Sequence, residues 1–204
     1  MASHQFLQKN RRQGGYTIVE LGIALTIIAV LIIAGLAGVT SVLNTSKAND
    51  QISASGQVIA KLQSFVTNTR ATVGLDTASG IGMGLFPPQR LNAARTAVAN
   101  VFAGAEFVTA NAFAIAATAT TQAIPINTSV IYTLTNVPRA VCADIAITLA
   151  NLSDTAWVGN LIVGAPGAAP AVPVKTSGVA TNIATVGTQC NTGDLVGMSF
   201  LLRP

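Results

Sequence analysis

Gly14-Gly15-Tyr16-Thr17-Ile18-Val19-Glu20, followed by the run LGIALTIIAVLIIAGLAGVTSVL from Leu21 to Leu43, is the stretch on which the rest of this chain depends. No charged residue occurs between Leu21 and Ser46. At about 1.5 Å per residue, the segment from Leu21 to Leu43 makes a helix of roughly 35 Å, longer than the ~30 Å hydrocarbon core of a bilayer. A spanning helix therefore fits. Ahead of it, Lys9, Arg11 and Arg12 lie in a short polar leader. The positive-inside rule holds such charges in the cytoplasm, which predicts an N-in, C-out topology.

Three readings of this start compete. A cleaved secretory signal needs an apolar region of roughly 7–15 residues and a small-residue site, for which Gly35 to Gly38 would serve. The run here is longer, and Glu20 stands at its beginning. A plain signal anchor accommodates the length and gives the glutamate no role. A carboxylate at the edge of a membrane helix costs a few kcal/mol unless it is paired, so it points to function. Arg11-Arg12 is a two-residue twin-arginine match and is read as topology charge.

The third reading uses every piece. Basic leader, Gly14-Gly15, an aromatic residue, Thr17-Ile18-Val19-Glu20 and an uncharged helix together resemble the prepilin signature of the type IV pilin superfamily. That resemblance implies cleavage by a membrane-embedded prepilin peptidase after Gly15 and methylation of the new N-terminus at Tyr16. It also implies that Glu20 is the glutamate at mature position five, able to pair with the freed amine of Tyr16 on a neighbouring subunit. Two charges that are each costly in an apolar bundle become tolerable as a pair, which selects the register of subunit addition. Residues 1–15 are then the cleaved leader, 16–46 the transmembrane and filament-core helix, and 47–204 the head. The sequence departs from the commonest family pattern in having Tyr16 where Phe or Met is frequent, and in a stem without proline. Gly22, Gly35 and Gly38 are the stem's helix weakeners, each costing about 1 kcal/mol relative to alanine. The Gly35–Gly38 segment is expected either to bend in a packed filament or to allow close packing between small residues.

Composition fits an exported, surface-forming protein. Hydrophobic residues make up 50% of the chain and charged residues 9%, which leaves a neutral surface rich in Ala and Thr. The formal net charge of +4 belongs largely to the leader: without Lys9, Arg11 and Arg12 the balance falls to about +1, with no basic cluster. Direct nucleic-acid binding is therefore not expected, although an assembled filament could concentrate scattered charges such as Arg90, Arg95 and Arg139.

Beyond the stem, Lys47 and Asp50 mark emergence into water, while Ile52, Ile59, Leu62, Val66 and Val73 keep a helical spacing. The helix is predicted to continue as an amphipathic segment over 48–73, ended by Gly74 and the glycines from Gly80 to Gly84. Pro87-Pro88 suggests a second helix from about Pro88 to Phe102, and Pro138 to Leu152 a third, with Val141, Ile145, Leu149 and Leu152 as its face. Phe107 to Ala117, Val130 to Asn136, Trp157 to Val163 and Leu195 to Leu202 read as strands, and Gly164 to Pro173 as a loop. The expected fold class is α+β: a long N-terminal helix whose amphipathic half packs on a C-terminal antiparallel sheet while the stem protrudes, the lollipop roll that the pilin resemblance also implies.

Cys142 and Cys190 are the two cysteines. In an exported protein they are expected to be bonded, closing a loop worth on the order of 4 kcal/mol in the chain-entropy model; two free thiols are the alternative. A disulfide bounding region 142–190 also resembles the type IV pilins, and its position after Asn136-Val137-Pro138 is most similar to the type IVb group of thin-pilus and toxin-coregulated pilins.

Enzyme chemistry has little to draw on. His4, the one histidine, lies in the leader, which removes His-based triads and metal sites from the mature chain. Asp50, Asp76, Glu106, Asp144, Asp154 and Asp194 are isolated in sequence and read as solvated surface charges. Gly80 to Gly84 lacks the Lys-Ser/Thr of a phosphate loop. No cofactor or metal is expected. The resemblance implies a structural subunit, a major pilin, that waits in the bacterial inner membrane, polymerises through its N-terminal helix with the help of inner-membrane machinery and a cytoplasmic ATPase, and ends in an extracellular pilus. A minor pilin, a type II secretion pseudopilin and a membrane-anchored adhesin that never polymerises are the alternatives.

Overall fold

The computed structural model describes residues 17–69, 72–111, 123–159 and 172–203. The chain divides into two units, Met1–Val42 and Leu43–Pro204. The leader, Gly15 and Tyr16 lie outside the described residues, as do 112–117 of the first predicted strand, 160–163 of the third and 164–171 of the predicted loop.

Helix α1 runs from Ile18 to Thr69 without interruption, through Gly22, Gly35 and Gly38. A Cβ built at any of those three glycines meets nothing within 4 Å. Within the second unit α1 carries an apolar stripe of Val58, Ile59, Leu62 and Val66, all buried, with Ile52 half-buried beside them. Val73, expected in that stripe, lies beyond the end of α1 and is 76% exposed. Helix α2, Thr77–Gly82, follows; its first turn is closed by a capping box between Asp76 and Ser79. The Ser79 backbone N–H, and then its hydroxyl, hold the Asp76 carboxyl below the usual carboxylate range.

Among the described residues the sheet has six antiparallel strands in the order β1-β2-β3-β6-β4-β5. These are β1 Val98–Ala99, β2 Ala105–Ala110, β3 Val130–Pro138, β4 Thr155–Gly159, β5 Pro173–Lys175 and β6 Leu195–Leu202. Helices α3, Arg139–Asn151, and α4, Ile183–Cys190, belong to the same unit. Alternation along the central strands sorts their side chains. Val130, Tyr132 and Leu134 of β3 and Val196, Met198, Phe200 and Leu202 of β6 join the main core with α1 and α3. Ile131, Trp157 and Leu201 form a second cluster with Ile124, and Thr133 meets Ser199 at 3.0 Å. On α3, Val141, Ile145 and Leu149 are buried as expected; Leu152 is the C-cap and 45% exposed.

One predicted helix is replaced. Residues from Pro88 to Phe102 form a single 3-10 turn, Pro88–Arg90, and then a hairpin with a bridge from Leu91 to Val98 and strand β1. The Asn92 side chain accepts from the backbone N–H groups of Thr96 at 2.8 Å and Ala97 at 3.2 Å, and Arg95 takes a left-handed φ of 53°. Such local side-chain to backbone bonds compete with helix formation, and here they win. The following turn is fixed by Gly104, where a Cβ would stand 2.1 Å from the carbonyl oxygen of Thr135.

Cys142, buried on α3, is bonded to Cys190 at the end of α4. The bridge fastens α4, which sequence patterning did not reveal, to a helix in the main core. In the full chain held in detergent, Cys142→Ser/Cys190→Ser is expected to lose about 2–4 kcal/mol of stability. The measurement is the urea unfolding midpoint of the head by tryptophan fluorescence, with Trp157 as reporter; an unchanged midpoint contradicts the expectation.

Candidate functional site

Two places carry chemistry that packing alone does not explain, one in each unit. The first is the start of α1. Thr17 Oγ1 accepts from the Glu20 backbone N–H at 3.2 Å and the Thr17 carbonyl accepts from Leu21 N–H at 3.1 Å, so Thr17 acts as N-cap. Glu20 falls in the first turn, where its negative charge suits the positive end of the helix dipole. Every described side chain from Ile18 to Leu43 is exposed. Ile27, Ile28, Val30, Leu31, Ile32 and Ile33 point in all directions around the axis at 100° per residue, so no polar face exists. Thr26 turns its hydroxyl back to the Ile23 carbonyl at 2.8 Å, which satisfies it without water. A helix apolar on all sides is stable only inside lipid or protein, because each Leu, Ile or Val left in water forgoes about 1.5–3 kcal/mol.

The second place is a polar cluster between α1, β2, β3 and the segment after α2. Glu106 on β2 shares the parity of Val108, so its side chain points into the core and is 1% exposed. Arg90, whose side chain is 11% exposed, forms an ion pair with it and also donates to Gln51 Oε1. Gln51, fully buried on α1, donates through Nε2 to Glu106 Oε1 at 2.8 Å and to Ser55 Oγ at 2.9 Å. Its Oε1 also accepts from Val101 N–H at 3.2 Å. Ser55 Oγ lies 2.9 Å from the Tyr132 hydroxyl. Burial raises that phenol well above its usual range, and the nearby Glu106 carboxylate pushes it the same way, so Tyr132 stays neutral.

Asp50, Asp76, Asp144 and Asp194 are exposed, as expected, whereas Glu106 and Asp154 correct the reading of the carboxylates as solvated surface charges. Glu106 is buried and ion-paired. Asp154 binds Arg203 at 2.8 Å and Ser177 at 2.6 Å. Arg90 is likewise turned inward and is not a surface charge. Of the residues singled out from sequence, Glu20 stands at the exposed start of α1, Cys142 and Cys190 are joined within the head, and Gly15 and Tyr16 lie outside the described residues. The Gln51, Ser55, Arg90, Glu106 and Tyr132 cluster went unread. The signal for it is a pair of polar residues interrupting the apolar stripe of α1, and a glutamate in phase with a buried valine.

Removing one partner of a buried ion pair costs more than removing both, because the survivor is left uncompensated. Arg90→Met is therefore expected to lose about 3–5 kcal/mol, and Arg90→Met/Glu106→Leu to recover most of it. Urea midpoints of the two variants and the parent check this; a double variant no more stable than Arg90→Met contradicts it.

Neither a protein-family model nor a curated protein matches the sequence. Among solved structures, the crystal structure of TcpA, a type IV pilin from Vibrio cholerae El Tor biotype, is similar with a TM-score of 0.52 at 13% sequence identity, over 76% of this chain and 98% of that one. The chain has the type IV pilin fold.

Proposed function

We propose that this chain is a structural subunit of a type IV pilus, made as a prepilin, cut after Gly15 and polymerised through α1. The observation that carries the proposal is the unbroken exposed apolar surface from Ile18 to Leu43 with Glu20 as its one charge, on a chain with the pilin fold. Such a surface needs a non-aqueous solvent at every stage. Before assembly the inner membrane supplies it, with the basic leader inside and the head outside. In the filament the stems of other copies supply it, so assembly exchanges lipid contacts for helix contacts. Between two apolar media the driving force is small, and energy comes from a cytoplasmic ATPase in the pilus machinery.

Glu20 then has a defined role. An isolated carboxylate in hydrocarbon is unfavourable, and the nearest available cation is the amine freed at Tyr16 when prepilin peptidase removes the leader. Pairing across subunits removes both penalties and is possible in one register only. Processing thus precedes assembly for an electrostatic reason: the leader must leave before the amine exists. Methylation of that amine keeps its charge.

Gly15→Leu is expected to leave the leader attached, read as an intact mass at the N-terminus of the membrane protein, whereas the parent begins at Tyr16. A parent whose exported form starts after the apolar run would remove the pilin reading in favour of a cleaved signal. Glu20→Ala is expected to be cut normally and to lower the filament yield in sheared surface fractions by about tenfold or more, equivalent to roughly 1.4 kcal/mol per addition step. Undiminished filaments in that variant would refute the pairing. Abundance of the parent in the sheared fraction separates a major pilin from a minor pilin or a type II secretion pseudopilin, and its absence there points to an anchored adhesin.

A further inference from the structure

The face that α1 presents to the sheet has two parts of different character. Val58, Leu62 and Val66 are apolar, fully buried and four residues apart. Sliding the helix one turn along its axis, about 5.4 Å, would set another member of this row at two of the three places and Ala54 or Arg70 at the third. Apolar burial has no direction, so along this row it tells the registers apart at one end only. The turn from Gln51 to Ser55 distinguishes them as well. Gln51 spends both ends of its amide, on Ser55 Oγ at 2.9 Å and Glu106 at 2.8 Å through the nitrogen, and on Arg90 and Val101 N–H through the oxygen. Ser55 completes the Tyr132 hydroxyl at 2.9 Å.

A slip of one turn in one direction brings Ser55 to the place of Gln51 and sets Ile59 against the Tyr132 hydroxyl. In the other direction it brings Lys47 in place of a neutral amide beside both Arg90 and Glu106, so that two cations compete for one buried carboxylate. Either way, buried atoms of Glu106, Arg90 or Tyr132 lose the partners they have here, an outcome a protein interior tolerates poorly.

We propose that Gln51, together with Ser55, is the residue that sets the register of α1 on the sheet, so that every head grips the same turn of the helix. Its purpose, though not its existence, rests on the pilus reading: copies gripping different turns would not repeat in a filament. A buried polar residue that fixes register at the expense of raw stability is a well-attested use of polarity in helix packing.

The test uses the full chain in detergent, with spin labels at Ser64→Cys on α1 and Thr192→Cys after α4, both exposed. The parent is expected to give one narrow distance distribution. Moving the amide and hydroxyl one turn along, as Gln51→Ala/Ser55→Gln/Ile59→Ser, is expected to displace the main distance by several ångström, up to the ~5.4 Å of a turn. A folded variant that keeps the parent distance overturns the inference. Should that variant not fold, Gln51→Leu/Ser55→Ala/Arg90→Met/Glu106→Leu/Tyr132→Phe decides the matter: two distance populations support the register role, and one narrow population at the parent distance overturns it. Filament formation is scored separately. A chain that holds its register and forms no filaments removes the pilus reading and leaves this inference standing.

Discussion

A helix that is apolar on every side cannot be at equilibrium in water, and α1 is such a helix from Ile18 to Leu43. A soluble domain buries a helix of this kind in its own core. In this chain every described side chain of that stretch is exposed. Such a helix needs cover from lipid or from other protein, and the features at the start of the helix make sense in that setting. Thr17 closes the first turn with its own oxygen atoms, and Thr26 satisfies its hydroxyl on the backbone. Both devices spare the apolar surroundings an unmet polar group.

The head solves a different problem with few charges. Its core is divided by the sheet: α1, α3 and one set of alternating side chains on one side, and the Ile124, Ile131, Trp157 and Leu201 cluster apart from it. Polar groups inside this arrangement are used as joints. The cluster around Gln51 ties α1 to β2, β3 and the segment after α2. Lys175 on β5 donates to the carbonyls of Ala150 and Ser153, 2.7 Å each, and so closes the end of α3. The Cys142–Cys190 bridge anchors α4. Each joint links elements distant in sequence, which is where a neutral, alanine-rich chain has least packing specificity to rely on.

Much of this was legible in the sequence, and the pattern of what was not is informative. The uncharged run and its glutamate announced α1; β6 runs over the predicted residues Leu195 to Leu202; and β3 and α3 differ from expectation only at their ends. Those segments have a periodicity that agrees with their tertiary environment. The helix expected from Pro88 to Phe102 failed because an apolar spacing of that length is weak evidence, and Asn92 had a competing use for its side chain. Strands β1 and β5, with two and three residues, carry no period to detect. The buried cluster was invisible for another reason. An isolated glutamate is usually solvated, and its burial becomes sensible only once Arg90 is known to lie beside it, a fact of tertiary structure that sequence spacing does not contain.

The two polar sites of α1 thus stand in opposite states. Gln51 is satisfied within the molecule, by Arg90, Val101, Ser55 and Glu106, and a group so fully engaged defines structure and has nothing left to offer a partner. Glu20 keeps its carboxylate at an exposed helix start amid apolar side chains and forms no ion pair among the described residues. In a chain with so few charges, a carboxylate in a segment that is otherwise apolar is costly in lipid or protein unless it is paired. On the function proposed above, the amine that would pair with it is the one freed at Tyr16 by cleavage after Gly15, and processing would then be coupled to assembly through Gly15, Tyr16 and Glu20.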